Sequence, residues 1–393
     1  MTRRPLTLAL LLAAAGPAAA ADDTPGTDDV REKSRARYEY AIRAVAGYFD
    51  GMGVRTDSGR LAIVELDLTP KLKLGEWEVD LPLRLDHRQT FGADLSETIA
   101  GVEVDARRKL DKLRFGPIGG VTYTRRAGWP DLYQPNPAGG LFPTDRYSHL
   151  DGFLGWEHWH RLGGKRNLRW KLRWVQQNYR HDPNFNEADP SPTHLVPHSN
   201  HQLKLDSSYR VIGEGFVYGA KFDAFYRWDT VNIARQANTG VATTDLARSW
   251  GLEPAAFAGL RLGAVEFTVE YAWLKQVDAV TGYYSYTGHH PTAKAEVALG
   301  GRLSLSARAA AWFVTYGPNS RDNTEDGRRL ESTKLAAKAG ARYALTGAFS
   351  IVADAEWSRR DTNFPDYLPP GVVIAWDYTN FMATAGVEWA PKH

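Results

Sequence analysis

The 393-residue chain contains no cysteine. That absence removes a disulfide scaffold, a thiolate metal site and a cysteine nucleophile together. Neither sign of charge is in excess, with 48 basic against 46 acidic side chains, so no bulk electrostatic footprint for nucleic acid is present. Long hydrophobic runs are also missing. Past the N-terminus no apolar segment approaches the ~18–20 residues of a membrane helix. Methionine occurs only three times, whereas tryptophan occurs 13 times and tyrosine 18 times. The usual gap-filler of a dry core is scarce, and side chains with an apolar body and a polar tip are plentiful.

The N-terminus reads as an export signal over residues 1–21. Arg3 and Arg4 form a basic region, Leu6 to Ala15 an apolar one, and Ala18 to Ala21 offer small-residue cleavage sites before Asp22 and Asp23. The mature chain is therefore expected to begin at Ala21 or Asp22. Lipidation at that junction is excluded by the lack of cysteine. Without Arg3 and Arg4 the basic count falls from 48 to 46 and matches the 46 acidic residues. Residues 22–36 form a short leading segment, expected in the periplasm, and residues 37–390 carry one repeating pattern.

That pattern is alternation at period two. From Trp77 to Leu85 the odd positions Trp77, Val79, Leu81, Leu83 and Leu85 are apolar. The even positions hold Glu78, Asp80, Pro82 and Arg84, with Glu76 and Asp86 at either side. Leu168, Trp170, Leu172 and Trp174 alternate with Arg169, Lys171 and Arg173; Phe222 and Ala224 with Lys221 and Asp223; Val265, Phe267 and Val269 with Glu266 and Glu270. A helix, with its 3.6 period, cannot gather such a pattern onto one face. These segments are strands with one apolar and one polar face.

Tight turns are expected at Gly75, Gly116 to Gly119, Gly163-Gly164, Gly213 to Gly215, Gly263-Ala264, Gly300-Gly301 and Thr346-Gly347. Between them lie longer, Pro- and Asn-rich connections: Ala127 to Tyr147, His181 to His198, Asp229 to Trp250, Asp278 to His290, Gly317 to Arg329 and Asp361 to Gly371. Seven tight turns join fourteen strands. One more strand near Arg37 to Tyr48 and another near Trp376 to Trp389 make sixteen, with both termini on the short-turn side. The stretches Glu103 to Phe115 and Leu252 to Leu262 are taken as strands on weaker alternation.

Sixteen meandering strands cannot bury an inward apolar face, because the enclosed space would be too wide to fill, and an open sheet would leave long unpaired edges. Turning the apolar face outward works when the solvent is lipid. Aromatics near strand ends fit this: Phe349 and Trp357 bracket Ile351, Ala353 and Ala355, and eight tilted residues span roughly 20 Å of membrane. The chain thus resembles the bacterial outer-membrane β-barrel class over nearly all its mature length. Its last strand, with Phe381, Ala383, Ala385, Val387 and Trp389, is similar to the C-terminal assembly signal of that class, although Ala390 to His393 follow. The resemblance implies an up-and-down antiparallel transmembrane barrel in the outer membrane, with periplasmic termini and lipid around it.

No catalytic constellation stands out; Gly-x-Ser-x-Gly is absent. His158 and His160, two apart, fall on one side of a strand and fit an interfacial role. His181, His194, His198 and His201 match no compact metal spacing, so neither metal nor cofactor is expected. The polar faces are the candidate functional surface: Glu76, Glu78, Asp80, Arg84, Arg169, Lys171, Arg173, Lys221, Asp223, Glu266, Glu270, Lys334 and Lys338 are expected to line a pore. So many charges need water around them. Arg169, Lys171 and Arg173 form a basic ladder, expected either to bind an anionic polymer or to be a wall neutralised by acidic neighbours, and to contribute most of any mild anion preference. Three readings follow: a porin-like channel passing small hydrophilic solutes, a conduit exporting a polysaccharide, and, disfavoured, an outer-membrane enzyme. Expected partners are lipid, small polar solutes or oligosaccharides and further copies of the chain. The segment Ala127 to Tyr147, with Trp129, Tyr133 and Phe142, is expected to narrow the pore.

Overall fold

A computed structural model describes residues 37–52, 55–91, 95–127, 129–135, 141–144, 148–163, 165–179, 199–235, 242–318, 329–363 and 377–391. The export signal over 1–21, the segment 22–36 and most of the longer connections lie outside the described residues.

Every described element is a strand. In chain order they are β1 (Arg37–Met52), β2 (Arg55–Leu74), β3 (Trp77–Asp80), β4 (Leu83–Phe91), β5 (Ser96–Leu110), β6 (Leu113–Ala127), β7 (Trp129–Pro135), β8 (Leu141–Thr144), β9 (His149–Gly163) and β10 (Arg166–Tyr179). They continue as β11 (Asn200–Ile212), β12 (Phe216–Arg235), β13 (Ala242–Leu262), β14 (Val265–Asp278), β15 (Tyr286–Leu299), β16 (Leu303–Tyr316), β17 (Glu331–Ala344), β18 (Phe349–Thr362) and β19 (Tyr378–Trp389). β7 and β8 form a separate two-stranded sheet inside the longest connection, and the other segments make one antiparallel sheet. β3 and β4 are two pieces of one wall strand, facing β2 on one side and β5 on the other. β1 pairs with β2 and also with β19, so the sheet closes on itself as a barrel of sixteen strands.

The break between β3 and β4 falls at Leu81-Pro82. Proline has no N–H to give a ladder. The neighbouring bonds survive: the Leu81 N–H donates to the Pro70 carbonyl at 2.9 Å, and the Glu103 N–H to the Pro82 carbonyl at 2.8 Å. The pairings Lys71 with Asp80 and Leu68 with Leu83 keep one register across the gap, so alternation passes through it unshifted.

One expected turn is corrected. The chain does not reverse at Gly116 to Gly119; it reverses at Asp111-Lys112, where Asp111 adopts a φ of +41°, and β6 runs straight through the glycines. Glu103 to Phe115 is therefore the end of one strand and the start of the next. Gly116 serves close packing instead, since a β-carbon there would lie 1.8 Å from the Ala106 carbonyl oxygen. The stretch expected as a connection from Asp229 to Trp250 is also largely strand, because β12 extends to Arg235 and β13 begins at Ala242. The other six tight turns lie where expected, and the chain enters β1 and leaves β19 at their end of the barrel.

The two faces differ as alternation requires. Leu154, Leu172, Trp174, Tyr226, Phe267, Ile351 and Val387 are all exposed on the outer face. At the tight-turn end, Trp389 lies between Tyr40 at 5.0 Å and Phe349 at 6.1 Å, and His158 stacks flat on Trp170 at 5.3 Å. At the loop end His201 stacks between Trp174 and Trp228, at 5.6 and 5.5 Å. Between these aromatic rings β15, β16 and β17 carry a flat field of alanine, with Ala293, Ala309 and Ala337 abreast. On the inner wall, Val45, Phe49, Leu61, Ile63 and Val352 form a buried apolar cluster with Met382 against it.

Candidate functional site: the inner wall

Strand parity turns the charged positions inward, and register decides which of them meet. Arg43 donates to Glu65 at 2.9 Å from the next strand and pairs with Asp354 two strands away on the other side. Arg107 bridges Asp80 at 2.9 Å and Asp105 at 2.5 Å. Lys221 meets Glu270 at 2.5 Å across β13, and Lys338 meets Glu356 at 2.5 Å. The wall is a mosaic of short ion pairs between neighbouring strands.

The basic ladder on β10 sits inside that mosaic. Arg169 and Lys171 flank Glu157 of β9, Lys171 at 3.7 Å, and Arg173 donates to Asp206 of β11 at 2.5 Å. Glu157 is only 4% exposed. Two carboxylates, one of them shared, thus offset most of the ladder's three charges. Glu76, at the tight turn, holds Arg108 at 2.6 Å, and Arg84 lies 3.6 Å from Asp86. Glu266 reaches Arg261 at 4.0 Å beside another turn. Glu78 stands opposite Lys73 and Arg107, and Asp223 stands between Asp206 and Glu253, in an acidic stretch of wall. Lys334 has no carboxylate against it among the described residues and lies 5.3 Å above the Trp312 ring.

Several aromatic rings on the inner wall lie beneath a cation. Arg114 covers Trp159 at 5.1 Å, Arg173 covers Phe153 at 5.9 Å, and Lys221 and Arg210 cover Phe257 at 5.5 and 5.7 Å. Such contacts are worth ~0.5–1 kcal/mol where water reaches them. Alternation alone does not mark these rings, because they stand on the charged face of their strands and not on the apolar one.

His158 and His160 lie on the outer face, in edge contact at 6.3 Å. His201 is likewise stacked on the outside, while His181, His194 and His198 lie outside the described residues. The backbone of the connection after β6 forms the β7–β8 hairpin; its Trp129, Tyr133 and Phe142 side chains lie outside the described residues. No group of His, Asp and Glu able to hold a metal occurs among the described residues.

No protein-family model matches the sequence, and no curated protein matches it. Solved structures do. At 10% identity, CdiB from Acinetobacter baumannii aligns over 90% of this chain and 60% of its own, with a TM-score of 0.50. The fold is that of a bacterial outer-membrane β-barrel. An anion-selective porin from Comamonas acidovorans aligns at 11% identity over 91% of this chain and all of its own, with a TM-score of 0.46. OpdK from Pseudomonas aeruginosa aligns at 10% identity over 90% and 98%, with a TM-score of 0.44. A closed barrel with an apolar exterior and aromatic rings at both ends places this chain in the outer membrane, in contact with lipid.

Proposed function

We propose that the barrel is a water-filled channel through which small hydrophilic solutes cross the outer membrane passively. The observation that carries this reading is the closed sixteen-strand wall with charged ion pairs on its inner face. Sixteen strands enclose a cylinder roughly 30 Å across between backbones, wide enough for water once side chains are in place. Glu76, Glu78, Asp80, Arg84, Arg169, Lys171, Arg173, Lys221, Asp223, Glu266, Glu270, Lys334 and Lys338 line that channel in this reading. Mixed signs cancel beyond the Debye length of ~8–10 Å, so bulk ion selectivity is weak. The protein acts as a channel without enzymatic turnover, cofactor or energy input. Its termini are periplasmic, and copies associate in the membrane.

A second reading, a conduit for an exported polysaccharide, draws support from the inner-wall rings Trp159 and Trp312 beneath cations, since sugars pack on such surfaces. Planar-bilayer recording of the purified protein decides between them. Steady ohmic steps in potassium chloride, unaffected by oligosaccharides, support the channel. Current that appears only in short bursts and is blocked by oligosaccharides supports the conduit, and no current at all defeats the channel reading.

A further inference from the structure

Positive charge without a partner collects at one place on the inner wall. A recess of about 720 Å³ is lined by Arg88 of β4, Arg308 of β16, Lys334 and Lys338 of β17 and the single carboxylate Glu356. Phe49, Leu61 and Met382 give it an apolar side. The size is that of a small-molecule site. Glu356 is taken by Lys338, whereas Arg88, Arg308 and Lys334 face no carboxylate within 4.0 Å among the described residues. The Nε of Arg88 is buried without an acceptor.

Register sharpens the oddity. Lys294, Arg308 and Lys338 stand directly opposite one another on three successive strands. Like charges so placed destabilise a sheet. Lys294 is relieved by Glu296 at 2.5 Å and Lys338 by Glu356, which leaves Arg308 between two cations with none of its own. Guanidinium groups match the planar, two-oxygen geometry of a carboxylate, and the apolar side suits a body attached to it.

We propose that this recess binds a small organic carboxylate with an apolar body, which makes it the selective station of the channel inferred above and rests on that reading. Benzoate is the probe. In planar bilayers, benzoate reduces the wild-type current at concentrations where sulfate does not. R88Q/R308Q/K334Q, and R308Q alone, lose that block, and the triple variant lowers chloride-over-potassium permeability on the order of threefold. R114Q/R210Q keeps the block, because those guanidiniums cover Trp159 and Phe257, outside the recess. Block that survives the triple variant, equal block by sulfate, or loss of block in R114Q/R210Q overturns the assignment while leaving the channel intact. If wild-type protein carries no current, the channel reading fails instead. Calorimetric titration of benzoate into the folded, detergent-solubilised barrel then decides the site: binding at least tenfold weaker in R88Q/R308Q/K334Q supports it, and equal binding overturns it.

Discussion

At the scale of single residues, Glu157 is the keystone of the ladder. It is buried on the wall between Arg169 and Lys171, so Glu157→Gln removes the one carboxylate both cations use. The expected cost is about 1–3 kcal/mol. It should be read as a lower temperature at which the compact gel form converts to the extended one. Asp206→Asn should cost much less, because Asp206 is more than a third exposed and water replaces the lost partner. The ladder itself was legible, since three cations at spacing two lie within β10. Its partners were not. Glu157 lies on β9 and Asp206 on β11, and only the register brings them to β10. The recess was hidden for the same reason, because Arg88 and Arg308 share no local pattern and meet only when the sheet closes.

At the scale of elements, face assignment was legible because a strand has a period of two and a one-residue slip would turn every side chain over. Single-tryptophan variants retaining Trp170 or Trp174 should therefore be quenched by brominated lipid. Cysteine placed at Lys171, the sole thiol in the chain, should react with a water-soluble reagent. Quenching and labelling in the opposite sense would invert the wall. The misread turn has a physical cause: glycine marks both a reversal and a place where strands approach too closely for a β-carbon. Gly116 is the second kind, while the true reversal uses Asp111, a residue that tolerates positive φ. The β7–β8 hairpin marks the connection that the sequence nominates for narrowing the pore. Deleting Pro135 to Pro143 should raise single-channel conductance, and unchanged conductance would place that hairpin away from the ion path.

At the scale of the whole molecule, the protein should sediment with the outer membrane, and the unheated form should migrate apart from the heated one on detergent gels. Recovery in the soluble periplasm would contradict the lipid-facing exterior. The wall closes where β19 meets β1, joining Val45 to Gly386 across roughly 340 intervening residues. Bringing such distant ends together costs about 5 kcal/mol of chain entropy. The apolar cluster on the inner wall straddles this seam, drawing Val352 from β18, Met382 from β19, Val45 and Phe49 from β1 and Leu61 and Ile63 from β2. Gly47 and Gly386 let the two edges meet, because a β-carbon on either would lie within 2.0 Å of a carbonyl oxygen across the seam. The seam is thus a latch, because the cluster's contacts between β18–β19 and β1–β2 exist only once β19 has paired with β1. An open sheet would show both an unpaired edge and an unburied greasy strip, a form vulnerable to protease. Gly47→Val should accordingly leave strand content near normal while slowing refolding into micelles, with the open, protease-sensitive sheet accumulating before the compact band appears.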